Sequence, residues 1–172
     1  MSNVKLKIDN QIIEIDKNST ILDAINKSNS KVPTLCHHPS IEPSGACRIC
    51  VVEDKKSNQI LASCTTPVRD GMEIDTKSKK VKESRKLNLE LLLADHPNDC
   101  MICESDGDCD LQDLVYEYDI QNPTFGTLKR EVKKAEPKNS FIEFESDKCI
   151  LCGRCVRVCK EIQASNAIDF SE

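Results

Sequence analysis

The eleven cysteines of this 172-residue chain fall into three groups whose spacing confines the chemistry open to them. The first group is Cys36-x10-Cys47-x2-Cys50-x13-Cys64. A thiolate is a soft, anionic ligand that suits ferric and ferrous iron, and four of them complete a [2Fe–2S] cluster. Cys47 and Cys50 could share one iron from a tight loop, with the Ser44-Gly45-Ala46 backbone free to bring amides toward the bridging sulfides. The first gap is much longer than in the plant-type C-x4-C-x2-C spacing. A zinc site is the alternative, but four-cysteine zinc generally uses two close pairs and this group has one. His37 and His38 adjoin Cys36 and each other. A Rieske centre places its two histidines on separate loops, so these two read as loop residues covering the cluster edge.

The second group is His96-x3-Cys100-x2-Cys103-x5-Cys109. Three cysteines leave one corner of a cluster open, or bind zinc with a fourth ligand. His96 is either the cap of a preceding helix or that fourth ligand, with Pro97 turning the chain toward the cysteine pair. The third group is Cys149-x2-Cys152-x2-Cys155-x3-Cys159, with Gly153 inside it. This is the run that wraps a [4Fe–4S] cluster in bacterial ferredoxins, where the fourth cysteine serves a neighbouring cluster. Zinc has no use for three cysteines at successive two-residue gaps. Lys160 stands where such runs usually carry proline. No second run follows, so the origin of this site's last ligand is left open between Cys159, residues absent from the chain and a partner.

Composition narrows the alternatives. With 38% hydrophobic and 3% aromatic residues, one large core is not expected, and bound clusters can supply folding energy instead. The first residues form no secretory apolar run and no later stretch could span a membrane, so a cytoplasmic location without membrane insertion is expected. In that reducing compartment the cysteines read as ligands rather than disulfides. Net charge is −5 with signs interspersed and no basic stripe, which argues against nucleic acid. The five glycines match neither a dinucleotide fingerprint nor a phosphate loop.

Local patterns supply the elements that must position these residues. Val4, Leu6 and Ile8 alternate with polar residues as a half-buried strand, Asp9-Asn10 turns the chain, and a second strand runs through Ile13 and Ile15. A short helix is expected to follow, capped by Ser19 or Thr20, with Asp23 in its first turn and Ile21 and Ile25 on one face. Val51-Val52 and Ile60-Leu61-Ala62 flank a polar turn, and a last strand follows Gly71. Together these predict a β-grasp sheet on one helix. Leu87, Leu91 and Ala94 predict the apolar face of a helix from about Val81 to Ala94, widened by Leu89, Leu92 and Leu93. It should end before His96, because Pro97 disfavours helical geometry there. A second short helix is expected over Leu111 to Tyr118, a connector over Gln121 to Asn139 and a short strand over Phe141–Phe144.

Pro33-Thr34-Leu35-Cys36-His37-His38-Pro39, His96-Pro97-Asn98-Asp99-Cys100 and Cys149-Ile150-Leu151-Cys152-Gly153-Arg154-Cys155-Val156-Arg157-Val158-Cys159 carry a resemblance along essentially the whole chain. In this order they resemble the N-terminal iron–sulfur module shared by the large peripheral subunit of complex I, [FeFe] hydrogenases and the catalytic subunits of NAD-linked formate dehydrogenases. The stretch from Lys160 to Phe170 is most similar to the formate dehydrogenase and complex I branch.

The resemblance implies an α+β chain with a β-grasp [2Fe–2S] domain over 1–78 and a small helical [4Fe–4S] domain over 79–120. A connector over 121–139 would lead to the first half of a bacterial-type ferredoxin domain over 140–172. It implies that Cys36, Cys47, Cys50 and Cys64 hold [2Fe–2S], and that His96, Cys100, Cys103 and Cys109 hold [4Fe–4S]. Cys149, Cys152 and Cys155 would hold a further [4Fe–4S], with Cys159 on it or on a neighbouring cluster. Relatives continue into a second ferredoxin run and a large catalytic domain, which makes the chain a fragment or a small subunit. The expected function is an electron relay between a flavin- or NAD(H)-handling subunit and a catalytic redox subunit. The expected assembly is a soluble, anaerobic formate dehydrogenase or hydrogenase complex, with complex I as the alternative. No substrate-converting site of its own is expected. A zinc scaffold and a redox sensor are the rival classes. Colour and iron content separate the first, and the second needs an output domain.

Overall fold

A computed structural model describes residues 2–125 and 144–170. The chain divides into two compact units, Met1–Arg85 together with Gly153–Glu172, and Lys86–Cys152.

In the first unit β1 (Asn3–Ile8) and β2 (Gln11–Asp16) form an antiparallel hairpin, with Leu6 opposite Ile13. The turn works because Asp9 takes a left-handed conformation, which aspartate tolerates, at φ 51°. Its carboxylate then accepts the Thr76 amide and hydroxyl at 2.9 Å each, and the Ser30 hydroxyl, tying two distant segments to the turn. β3 (Val51–Asp54), β4 (Gln59–Ala62) and β5 (Glu73–Asp75) complete a mixed sheet of order β2-β1-β5-β3-β4, in which β1 and β5 run parallel.

Helix α1 (Ile21–Asn26) starts at Thr20 with a capping box. The Thr20 hydroxyl accepts the Asp23 amide at 3.2 Å, and the Asp23 carboxylate accepts the Thr20 amide at 2.8 Å. Its Ile21, Ala24 and Ile25 pack with Leu6, Ile8, Ile15, Val52, Val68, Met72 and Ile74 into the core. Ile8, Ile21 and Ile25 are fully buried, and each such side chain stabilises the fold by about 1.5–3 kcal/mol. The sheet and its helix match the architecture expected from the alternation pattern.

Helix α2 (Lys79–Leu93) starts in the first unit and ends in the second. Its buried stripe is Val81, Arg85, Leu89 and Leu93, whereas Leu87 and Leu91 are about half exposed, so the expected apolar face is corrected. Four leucines between 87 and 93 offer more than one helical phase. The phase adopted is the one that lets the buried Arg85 guanidinium donate to the Val51 carbonyl at 2.7 Å, one residue beyond Cys50. The helix stops short of His96, as Pro97 requires.

A 3-10 turn over Cys100–Ile102 and helix α3 (Asp110–Glu117) follow in the second unit. Helix α4 (Arg154–Glu161) lies in the first unit and begins at Gly153 in a left-handed conformation. Most of the expected connector, and the expected strand over Phe141–Phe144 up to its last residue, lie outside the described residues. Among the described residues no helix is long and apolar enough to cross a membrane.

Candidate metal centres

The first four thiols converge at one end of the sheet. Cys36, Cys50 and Cys64 are each about 1% exposed, and Cys47 is half-buried. Cys50 and Cys64 pack with Leu22 and Ala62 in a small apolar cluster, so α1 faces the main core on one side and this site on another. The start of α1 also holds the Cys64 loop. The Ile21 amide donates to the Thr66 carbonyl and the Leu22 amide to the Ser63 carbonyl, both at 2.9 Å, using donors a helix end leaves without partners. Ser63 in turn donates its hydroxyl to the Cys50 carbonyl at 2.7 Å.

Within the site the thiols associate across loops. Cys50 and Cys64 sulfurs are 3.3 Å apart, and Cys36 is hydrogen-bonded first to Cys47 and then to Cys64. Cys36 thus meets both Cys47 and Cys64, and Cys64 also meets Cys50, so the four thiols form one connected set. Arg48 between Cys47 and Cys50 adopts φ 56°, which turns the C-x2-C loop back on itself. Gly45 is at φ 64°, and a Cβ there would lie 3.0 Å from the Thr65 side chain, so the loop approaches its neighbour at glycine distance.

These contacts divide the protons unevenly. Hydrogen bonds from Cys47 and Cys64 hold Cys36 far below the usual thiol range, and Cys64 lowers Cys50 to about 6. Cys47 and Cys64 are pushed up, chiefly by Cys36. Soft, buried, convergent sulfurs are the donor set a [2Fe–2S] cluster requires. His37 is half-buried in a cleft beside Cys64, and His38 is exposed with its Nδ1 accepting the Ser40 amide at 3.2 Å.

In the second unit a cavity of about 120 Å³ is lined by His96, Cys100, Cys103 and Cys109, with Leu93, Leu111 and Val115 as its apolar wall. The His96 Nδ1 lies 2.8 Å from the Pro97 carbonyl. A carbonyl only accepts, so Nδ1 is the donor in this contact, which in the neutral ring leaves the Nε2 lone pair for a metal. This is the orientation a metal-ligating histidine is given by its outer partners. Burial pushes the Cys100 thiol up.

Sequence reasoning missed Gln112, Lys148 and Asp99, which line the same cavity. Gln112 is 6% exposed, accepts the Gly107 amide at 2.9 Å and donates to the Asp106 carboxylate at 2.6 Å, pinning the loop between Cys103 and Cys109. The signal was a glutamine on the inward face of a short helix, which by itself has no diagnostic value.

Of the last four cysteines, Cys149 and Cys152 belong to the second unit, while Cys155 and Cys159 lie on α4 in the first. Cys155 is exposed. Cys159 is buried, 3.0 Å from the Ser165 hydroxyl, and accepts the Ala167 amide at 3.2 Å. The Ser165 hydrogen bond is the main cause that lowers the Cys159 thiol.

Three family models match the chain. Residues 1–79 match a 2Fe-2S iron-sulfur cluster binding domain, and residues 85–124 the NADH-ubiquinone oxidoreductase-G iron-sulfur binding region. Residues 141–167 match a 4Fe-4S binding domain. The alpha subunit of the NADPH-Fe(3+) oxidoreductase of Geobacter sulfurreducens is 38% identical over 96% of this chain and 19% of its own length. The G subunit of the NADH-quinone oxidoreductase of Rickettsia bellii is 38% identical over 92% of this chain and 23% of its own. The chain therefore spans about a fifth of the length of these relatives. The crystal structure of an NAD+-reducing [NiFe]-hydrogenase in the H2-reduced state superposes with a TM-score of 0.89 at 29% identity, covering 99% of this chain and 71% of that one. Similar proteins thus include subunits of larger oxidoreductases. Matching domains, buried convergent thiols and this superposition agree: the chain is an iron–sulfur electron-transfer module with [2Fe–2S] and [4Fe–4S] domains, the module found in the G subunit of NADH-quinone oxidoreductase and in NAD+-reducing hydrogenase.

Proposed function

We propose that Cys36, Cys47, Cys50 and Cys64 ligate the [2Fe–2S] cluster, and that His96, Cys100, Cys103 and Cys109 ligate a [4Fe–4S] cluster. Cys149, Cys152 and Cys155 serve a further [4Fe–4S] cluster, and Cys159 completes it or faces a neighbouring one. The observation that carries this reading is the His96 ring, whose Nδ1 proton is committed to a carbonyl on a cavity that three cysteines share. The domains then run over 1–78, 79–120 and 140–172, joined by a connector over 121–139.

When bound, the clusters supply one-electron redox chemistry. The protein's share of the work is burial, orientation and charge. Leu22 and Ala62 keep water from the Cys50 and Cys64 sulfurs, which limits solvent access to the first centre. Gln112 and the His96–Pro97 contact hold the second donor set in place. No catalytic substrate site is assigned to this chain.

The relay serves a flavin- or NAD(H)-handling subunit on one side and a catalytic redox subunit on the other, in a cytoplasmic formate dehydrogenase or hydrogenase complex. The hydrogenase superposition supports this assembly, and the NADH-quinone oxidoreductase relatives support complex I as the second reading. Anaerobic affinity purification of the tagged chain tests both. Recovery with a flavoprotein and a formate- or hydrogen-converting subunit supports the first reading, and recovery with membrane-arm quinone-reducing subunits supports the second. A preparation that carries zinc in place of iron refutes the relay.

A further inference from the structure

The loop from Leu35 to Pro43 carries Cys36 and has no regular structure, and Pro39 and Pro43 remove two of its amide donors. Its backbone groups must therefore find partners elsewhere. Three of them find partners on α4, more than a hundred residues along the chain and within the same unit. The Arg157 guanidinium donates Nη2 to the Cys36 carbonyl at 2.6 Å and Nη1 to the Glu42 carbonyl. One helical turn later, the Glu161 carboxylate accepts the Glu42 amide at 2.8 Å. Residues 157 and 161 share a helix face, so one rigid element grips both polar groups of Glu42 and the carbonyl of Cys36.

We propose that Arg157 and Glu161 are positioning residues of the [2Fe–2S] site, holding the Cys36 loop through its backbone and setting that centre's reduction potential by their charges. This rests on Cys36 being a ligand of that cluster. Reduction adds one negative charge to the centre. A guanidinium fixed at the carbonyl of a ligating residue favours the reduced form, and a carboxylate disfavours it. The Arg157 fork suits two carbonyls, because guanidinium presents several donors in one plane. The helix that presents Cys155 and Cys159 thereby also holds the first centre's loop.

The test is EPR-monitored redox titration of the full 172-residue chain, reconstituted anaerobically, as parent, R157Q, R157K and E161Q. At the parent's midpoint potential, R157Q should lower the ratio of reduced to oxidised [2Fe–2S] by about three- to ten-fold, tenfold being about 59 mV for one electron. R157K keeps the charge and should stay within about two-fold of the parent, while E161Q should shift the ratio the opposite way. A general loosening of the loop would move all variants in one direction. R157Q and R157K shifting equally, E161Q moving with R157Q, or no shift at full cluster occupancy would overturn the proposal. If R157Q does not retain its cluster, the upward shift expected of E161Q and the near-parent ratio expected of R157K still decide it. A parent without a [2Fe–2S] signal refutes the ligand reading instead, a separate failure.

Discussion

Gln112→Ala isolates the second centre from the first. The side chain is 6% exposed and bridges the Gly107 amide at 2.9 Å and the Asp106 carboxylate at 2.6 Å, both within the loop joining Cys103 to Cys109. Each hydrogen bond contributes about 1 kcal/mol net, and somewhat more to a charged partner. Gly107 sits at φ 79°, and its amide is held by the Gln112 side chain. Loss of both bonds therefore lowers the free energy of local loop opening by about 2 kcal/mol, which raises the opened population roughly 30-fold. Chelator-driven iron loss reports that population. Bleaching with excess chelator under anaerobic conditions, followed by EPR, should show the [4Fe–4S] signal of the second centre disappearing about 30-fold faster, with the [2Fe–2S] signal decaying at the parent rate. Equal acceleration at both centres would mean a global effect, and unchanged rates would mean that Gln112 does not hold this loop. Either result refutes the reasoning.

Further expectations concern inventory, ligation and stability. Anaerobic protein should be brown and hold about ten irons if all three sites fill, or about six if the third does not, by iron and sulfide assay. His96→Ala should remove or convert the middle cluster and leave the [2Fe–2S] spectrum intact, and unchanged spectra with unchanged iron would reduce His96 to a structural residue. Cys159→Ser should leave the first two centres intact. Selective loss of a stable third [4Fe–4S] signal would show that Cys159 closes that site. Thr20→Ala removes the hydroxyl of a capping box and should lower stability by about 1 kcal/mol in urea titration, a change within error being the contrary outcome.

The amino-acid sequence singled out by itself the candidate ligands, because ligand spacing is a one-dimensional signature. Three groups of cysteines and His96 stood out before any fold was known. It also determined the sheet and α1, since alternation at Val4, Leu6 and Ile8 and the Thr20–Asp23 box are local and act over a few residues. Only the tertiary structure decided which thiols meet. Cys36 meets Cys47 and Cys64, and Cys64 also meets Cys50, contacts that join loops distant in the chain. The phase of α2 was decided the same way, by an acceptor on β3 for Arg85, where a leucine-rich run left several phases open. The grip of Arg157 and Glu161 on the Cys36 loop joins residues more than a hundred positions apart through backbone atoms that every residue type carries. No side-chain pattern encodes such contacts, so they exist only once packing of the whole chain brings their partners within hydrogen-bonding distance.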